Sequence, residues 1–193
     1  MNNPIKKAHT NHPIISLSSE RWSPRAFSSK AIESQKLASV FEAARWAPSA
    51  FNEQPWRFIV GKKNDEVYQN IFESLVAFNK KWAGFAPVLF VAYTKKTFAH
   101  NNSENSTAAY DLGQAVAHLT YQAMAEGLFV HQMGGFDKEK IKESFNIDDN
   151  YEIHTVIALG YPETPDILPD DLKKAELTPR ERNEIAFFVK GSL

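Results

Sequence analysis

Residues 87–93, Pro87-Val88-Leu89-Phe90-Val91-Ala92-Tyr93, form a continuous apolar run. It is too short to span a membrane and too unbroken for a strand with one wet face, so it predicts a strand buried on both faces of a sheet. Trp56-Arg57-Phe58-Ile59-Val60, aromatic and β-branched and closed by Gly61, predicts a second, largely buried strand, and residues 153–159 predict another before Gly160-Tyr161-Pro162. Helical spacing of Leu37, Val40, Phe41 and Ala44 starts from Ser34 and stops at Pro48. A further helix is expected from about Asp65 to Phe78. Ala108, Leu112, Ala115, Leu119 and Ala123 mark the small, closely packing face of a long helix ending near Gly127. Leu128-Phe129-Val130 leads to Met133-Gly134-Gly135, and a short helix starts near Asp137. The polar residues 94–107, with Asn101, Asn102 and Asn105, have the least ordered character inside the chain.

At 193 residues, with 22 Lys+Arg against 23 Asp+Glu and 43% hydrophobic residues, the chain has the size and balance of one ordinary domain. A formal charge of −1 gives no broad positive field for nucleic acid or anionic lipid, so neither is an expected partner. Residues 1–13 are a polar leader without a signal-peptide core, and no run approaches about 18 apolar residues; a cytoplasmic protein is expected. The domain then covers residues 14–193, with an arm from about 168 that ends in the apolar Ile185-Ala186-Phe187-Phe188-Val189. With no cysteine, the chain has no thiol nucleophile, disulfide or Cys-ligated metal. If it moves electrons, a borrowed group must carry them.

The usual catalytic signatures are missing: no Gly-x-Ser-x-Gly, no phosphate loop, no Gly-x-Gly-x-x-Gly and no His-x-x-x-His. The six histidines lack ligand spacing, so no metal site is expected; His131 is notable for its place beside the Gly-Gly turn. Four segments are candidates for binding. Arg21, Ser23 and Arg25 lie at a turn fixed by Pro24, where two guanidinium groups and a hydroxyl can grip a phosphate, or form a solvated arginine-rich turn. Residues 47–56, Ala-Pro-Ser-Ala-Phe-Asn-Glu-Gln-Pro-Trp, form a proline-bracketed loop whose polar groups are either preorganised for a ligand or spent on capping the turn. Paired Gly134 and Gly135 let backbone N–H groups approach a flat ligand. Arg180 and Arg182 can add cations to the same anion if the tail folds back.

In this order and spacing, Arg-x-Ser-x-Arg, Ala-Pro-Ser-x-x-Asn-x-Gln-Pro-Trp, a glycine-containing loop after a long helix and a late Arg-x-Arg resemble the nitroreductase family of FMN enzymes. The similarity runs from about Ser16 to Arg182. It implies an α+β fold: a three-layer sandwich in which a mixed, mainly antiparallel sheet is flanked by helices, assembled as an obligate homodimer with two FMN sites at the interface. By position, Arg21, Ser23, Arg180 and Arg182 would hold the FMN phosphate, with Trp22 and Gln54 in the same cofactor-binding segments. Asn79 would meet the pyrimidine side of the ring and Arg25 its N1 and O2. Pro48, Ser49, Ala50 and Asn52 would come from the partner subunit, while Gln132, Met133, Gly134 and Gly135 would run beside N5 and O4.

The resemblance implies ping-pong turnover in which NADH or NADPH reduces FMN and an electron-poor acceptor, a nitroaromatic or quinone, then takes two electrons. No side chain need do covalent chemistry, and Arg25 would tune the flavin by stabilising charge at N1 and O2. Three positions depart from the family pattern: Ala50 replaces a frequent second serine, Trp82 stands where some members carry a flavin-contacting lysine, and Phe51 would narrow the acceptor pocket. Other chemistry on the same fold, reductive dehalogenation or flavin fragmentation, and a non-catalytic flavin or small-ligand binder are the alternatives.

Overall fold

The structure is a computed structural model, and it describes residues 4–192. After a 3-10 turn at Pro4–Lys6, the elements in chain order are α1 (Ser16–Glu20), α2 (Ser34–Arg45), β1 (Trp56–Lys62), α3 (Glu66–Ser74), α4 (Ala77–Ala83), β2 (Val88–Lys95), α5 (Ala108–Ala125), β3 (Phe129–Met133), α6 (Lys138–Phe145), β4 (Tyr151–Gly160), α7 (Asp170–Leu177) and α8 (Ile185–Phe188). The strands form one sheet in the order β1-β2-β4-β3. All three pairings are antiparallel, so no parallel pair contributes among the described residues.

Side-chain alternation in β2 and β4 divides the core in two. Leu89 and Val91, with Val156 and Ala158, face one layer built on Tyr68, Ile71, Trp82, Ile141 and Leu172. Val88, Phe90 and Ala92, with Ile157 and Leu159, face the other, built on Leu37, Val40 and Ala44 of α2 and Leu112, Ala115, Leu119 and Ala123 of α5. Helices therefore cover both faces, which is what a doubly buried β2 requires. The small residues of α5 bring it close to both α2 and the sheet.

Four local expectations are corrected. β1 is an edge strand in which only Trp56 and Gly61 are buried, because it pairs with β2 alone. The single helix expected over 65–78 is two, α3 and α4. Between them the backbone turns away to pair with the glycine turn: Asp137 N–H donates to Ser74 O at 2.8 Å, Val76 N–H to Gly135 O at 3.2 Å, and Leu75 bridges Phe136. The polar stretch 94–107 is ordered. β2 continues to Lys95, Lys96 N–H donates to Asn150 O, Thr97 bridges Glu104, and Asn105 is buried. The leader is also joined to the domain, since Lys6 is buried and its ammonium donates to Ala175 O and Thr178 O at the end of α7. Among the described residues no helix is long and apolar enough to cross a membrane.

Candidate functional site

The Arg21–Arg25 turn leaves α1 at its C-terminal end and is clamped from behind. Trp22 is buried against the edge of Phe129, with ring centroids 6.1 Å apart and Lys6 Nζ 5.3 Å from its own ring. Its indole belongs to the core and is not a ligand surface. Pro24 O meets His131 Nδ1 at 2.8 Å. Arg25 N–H and Ala26 N–H both donate to Glu176 Oε1, at 2.8 and 3.1 Å. With these bonds behind the backbone, the side chains of Arg21 and Ser23 project into a cleft of about 370 Å³, lined also by Ala117, Thr120 and Tyr121 of α5 and by Gln132 of β3. Arg21 Nη1 lies 3.5 Å from Ser23 Oγ.

The tail does fold back. Arg180 Nε donates to Lys6 O at 2.6 Å, its Nη2 to Ser19 O at 2.6 Å, and its Nη1 to Arg21 O. Arg180 thus commits three of its five donors to backbone carbonyls and fastens α1 and the Arg21 turn, instead of lining the cleft as a free cation. Arg182 lies near enough that its charge, after burial, is the next largest influence lowering the Arg21 pKa. Burial and these same two neighbours, Arg21 and then Arg182, also lower Arg180. Arg21, Arg180 and Arg182 lie close enough to repel one another, and an anion beside Arg21 would relieve that repulsion.

β3 brings the glycine turn to the same region. Gln132 is exposed and lines the cleft, whereas Met133 is buried, opposite Val156 in the sheet, with its carbonyl accepting from Thr155 Oγ1 at 3.0 Å. A Cβ on Gly134 would meet nothing within 4 Å, while one on Gly135 would lie 2.8 Å from Val76 Cγ2 and 3.0 Å from Asn79 Nδ2. Asn79, buried on α4, donates from Nδ2 to Gly135 O at 2.9 Å. The break between α3 and α4 is what brings Asn79 to the turn. His131 packs against Trp82 with ring centroids 4.3 Å apart and the planes tilted by 33°, and burial, opposed by the Pro24 carbonyl and reinforced by Arg25, lowers its pKa to about 4. Trp82 is itself buried in the core, so it does not take the place of a ligand-contacting lysine, and its Nε1 has no partner.

The 48–54 loop sits elsewhere in the protomer. Phe51, Asn52 and Gln54 all adopt left-handed backbone, at φ of 53°, 56° and 51°. Ser49 Oγ accepts Gln54 N–H at 3.0 Å, Gln54 Nε2 donates to Asn52 O, and Ala50 N–H donates to Asp111 Oδ2 at 3.1 Å. Phe51 is exposed and packs edge-on against Phe98, 5.7 Å away. Among the described residues no hydrogen bond or ion pair joins this loop to the Arg21–Arg25 turn. Asp111, which anchors the loop, and Thr120, which lines the cleft, are nine residues apart along α5, roughly 14 Å. The single chain therefore assembles Arg21, Ser23, Arg25, Gln132, the glycine turn, Asn79 and Arg182, but not Pro48, Ser49, Ala50, Asn52 or Gln54.

Two buried carboxylates were not legible as site residues: Glu176, which holds the Arg25 turn, and Asp111, which holds Ala50. Each is an isolated acid at an otherwise ordinary helical position; only the long-range fold gives it an amide to hold.

The Nitroreductase family model matches residues 19–161. The chain belongs to the nitroreductase family. The crystal structure of an oxidoreductase containing FMN is 34% identical, with a TM-score of 0.89, covering 94% of this chain and 93% of that one. A nitroreductase family protein from Clostridium novyi NT is 25% identical with a TM-score of 0.67, covering 80% of this chain and 87% of its own. An NADH dehydrogenase of Thermus thermophilus is 27% identical over 175 residues, 74% of this chain and 83% of that relative. This is the nitroreductase fold, with helices on both faces of an antiparallel sheet, and the chain is an oxidoreductase of that family.

Proposed function

We propose that the chain is a homodimeric, cytoplasmic FMN enzyme that takes hydride from NADH or NADPH and passes two electrons to a nitroaromatic, a quinone or a similar electron-poor acceptor. The observation that carries this reading is the cleft in which Arg21, Ser23 and Gln132 converge, with Arg182 drawn in by the folded-back tail. Its donor set fits a phosphate joined to a planar, hydrogen-bonding ring. Cations and a hydroxyl lie at one end, an open Gly134 follows β3, and Arg25 Nε is a buried donor without an acceptor. The FMN named for a 34% identical structure adds support.

When bound, FMN would supply the ring that accepts hydride and returns electrons at its open face. Arg21, Ser23 and Arg182 would hold its phosphate. Arg25 would face the pyrimidine edge, where negative charge grows on reduction, so a fixed guanidinium there favours the reduced state. Gln132 and the backbone of Met133 to Gly135 would lie along the opposite edge, with Asn79 setting the path of that backbone. His131 is not a ready proton donor at this point at neutral pH, since burial keeps it neutral. Pro48, Ser49, Ala50 and Asn52 complete the site only from a partner subunit, which is why the reading includes a dimer. Phe51, exposed at the tip of that loop, would border the acceptor.

Anaerobic mixing with NADH or NADPH should bleach the flavin of the yellow protein, and a quinone or nitroaromatic should restore its colour. A protein that takes up no FMN, or whose flavin stays oxidised with both donors, would overturn the reading. The double variant Arg21→Ala/Arg182→Ala should lose its colour on dialysis while keeping its fold.

A further inference from the structure

Behind Arg25 stands Glu176, 1% exposed in the last turn of α7. A carboxylate there faces the negative end of its own helix, so the helix does not explain it. Its Oε1 is committed to two backbone amides, Arg25 N–H at 2.8 Å and Ala26 N–H at 3.1 Å. Its Oε2 is 3.9 Å from Arg25 Nη1, an ion pair beyond hydrogen-bond range, and both Oε2 and Arg25 Nε are buried without a hydrogen-bond partner. A carboxylate meant only to neutralise an arginine would close on it with two short parallel bonds. Here the acid fixes the arginine's backbone instead, stands back from its guanidinium, and leaves the Nε donor unspent. Lys6, bonded to Ala175 O and Thr178 O, holds the end of α7 that carries Glu176, and its charge reaches both Glu176 and Arg25.

Resting on the FMN reading above, we propose that Glu176 is a positioning residue that presents Arg25 to the flavin and partly offsets its charge, so that the Glu176–Arg25 pair sets the cofactor's reduction potential. The carboxylate does two separable things. Through Oε1 it fixes where the guanidinium originates, which governs binding of either redox state. Through its charge it weakens the field that Arg25 applies to the ring edge, which governs the reduced state more than the oxidised one.

Glu176→Gln separates them, since the amide oxygen can still accept from Arg25 N–H and Ala26 N–H while the charge is gone. Affinity of the apoprotein for oxidised FMN, read by quenching of flavin fluorescence, should change less than threefold. Affinity for reduced FMN should rise about tenfold relative to oxidised, which for a two-electron couple is a shift of about 30 mV to more positive potential, read by equilibration with a reference dye. In an Arg25→Gln background the same Glu176→Gln change should still raise the potential, because the two fields add at the ring, whereas Arg25→Gln alone should lower it. Glu176→Ala, losing both amide bonds, should weaken oxidised FMN more than tenfold; a circular dichroism spectrum reports whether that variant has folded, and the glutamine variant decides the matter if it has not. A potential unchanged in Glu176→Gln, or raised in Arg25→Gln, overturns the assignment while leaving the FMN reading intact. A wild-type protein that binds no FMN overturns both.

Discussion

At His131 an imidazole lies 4.3 Å from the Trp82 ring and holds the Pro24 carbonyl, and burial brings its pKa from 6.5 to about 4. Between those values the unfolded chain binds a proton that the fold refuses, so stability rises with pH across the window; it is full above 6.5 and lost as pH falls toward 4. From pH 7 to pH 4.5 the loss from this group is about 2 to 3 kcal/mol. His131→Phe keeps an aromatic ring against Trp82 but cannot titrate, so its urea midpoint should fall less than that of the wild type over the same range. His154, whose pKa burial also lowers, acts alike in both proteins and cancels. Equal acid sensitivity would refute the account. A second residue-scale contrast lies at the glycine turn. Gly135→Ala drives a Cβ against Val76 and Asn79 and should cost about 1 to 3 kcal/mol of stability. Gly134→Ala meets nothing in the fold, so thermal unfolding of the apoprotein should be unchanged and only FMN affinity reduced. The need for small residues here was legible from the paired glycines, but which of the two serves the fold and which serves a ligand was not, because that depends on α4 arriving at Gly135. Trp22 and Arg180 teach the same point. Their positions in the pattern suggest ligand contacts, yet the indole packs on Phe129 and the guanidinium is spent on carbonyls.

At the scale of elements, the long periodic segments were legible: α2, α5 and β2 follow from spacing and composition because burial of one stripe or of both faces leaves a local trace. The break between α3 and α4 was not. Residues 65–78 carry helical character throughout, and what interrupts it is pairing with residues 135–137, more than fifty positions away. The proline-bracketed loop was recognised but its support was not. Left-handed backbone at Phe51 and Gln54, either side of the more tolerant Asn52, is costly to hold, and the hold is Asp111, buried on α5, whose Oδ2 accepts Ala50 N–H at 3.1 Å and Thr107 Oγ1 at 3.3 Å. Asp111→Ala leaves that amide unpaired and should cost about 2 kcal/mol or more. Hydrogen exchange at Ala50, Asn52 and Gln54 should accelerate well beyond that of β2 amides. If exchange rises uniformly across the chain, Asp111 serves global stability and not the loop.

For the whole molecule, the outward side of α5 carries Ala109, Tyr110, Gly113, Ala117 and His118, and all five are exposed. Trp46, Phe187 and Phe188 are exposed as well, on α2's end and on α8. The exposed α5 face is the surface on which the proposed dimer would pack, since a face of small residues lets a second helix approach closely. The same chain leaves Pro48 to Gln54 apart from the cleft those residues are expected to serve. The homodimer proposed above would answer both facts if it packed through α5, covering that face and bringing each loop to the partner's cleft. Gly113 is the sharpest probe. A Cβ there meets nothing within 4 Å in the protomer, and a glycine inside a helix is about 1 kcal/mol worse than a better helix former. Gly113→Arg should therefore leave the isolated protomer as stable or more so, while a close helix-helix contact would be forced open. Sedimentation should show the wild type as a dimer and the variant as a monomer. FMN affinity should fall as the dimer is lost, because Ser49, Ala50 and Asn52 of the partner subunit leave with it. A variant that stays dimeric with its flavin in place would move the interface off α5, and a variant that turns monomeric yet keeps FMN equally tightly would mean that one chain's cleft suffices.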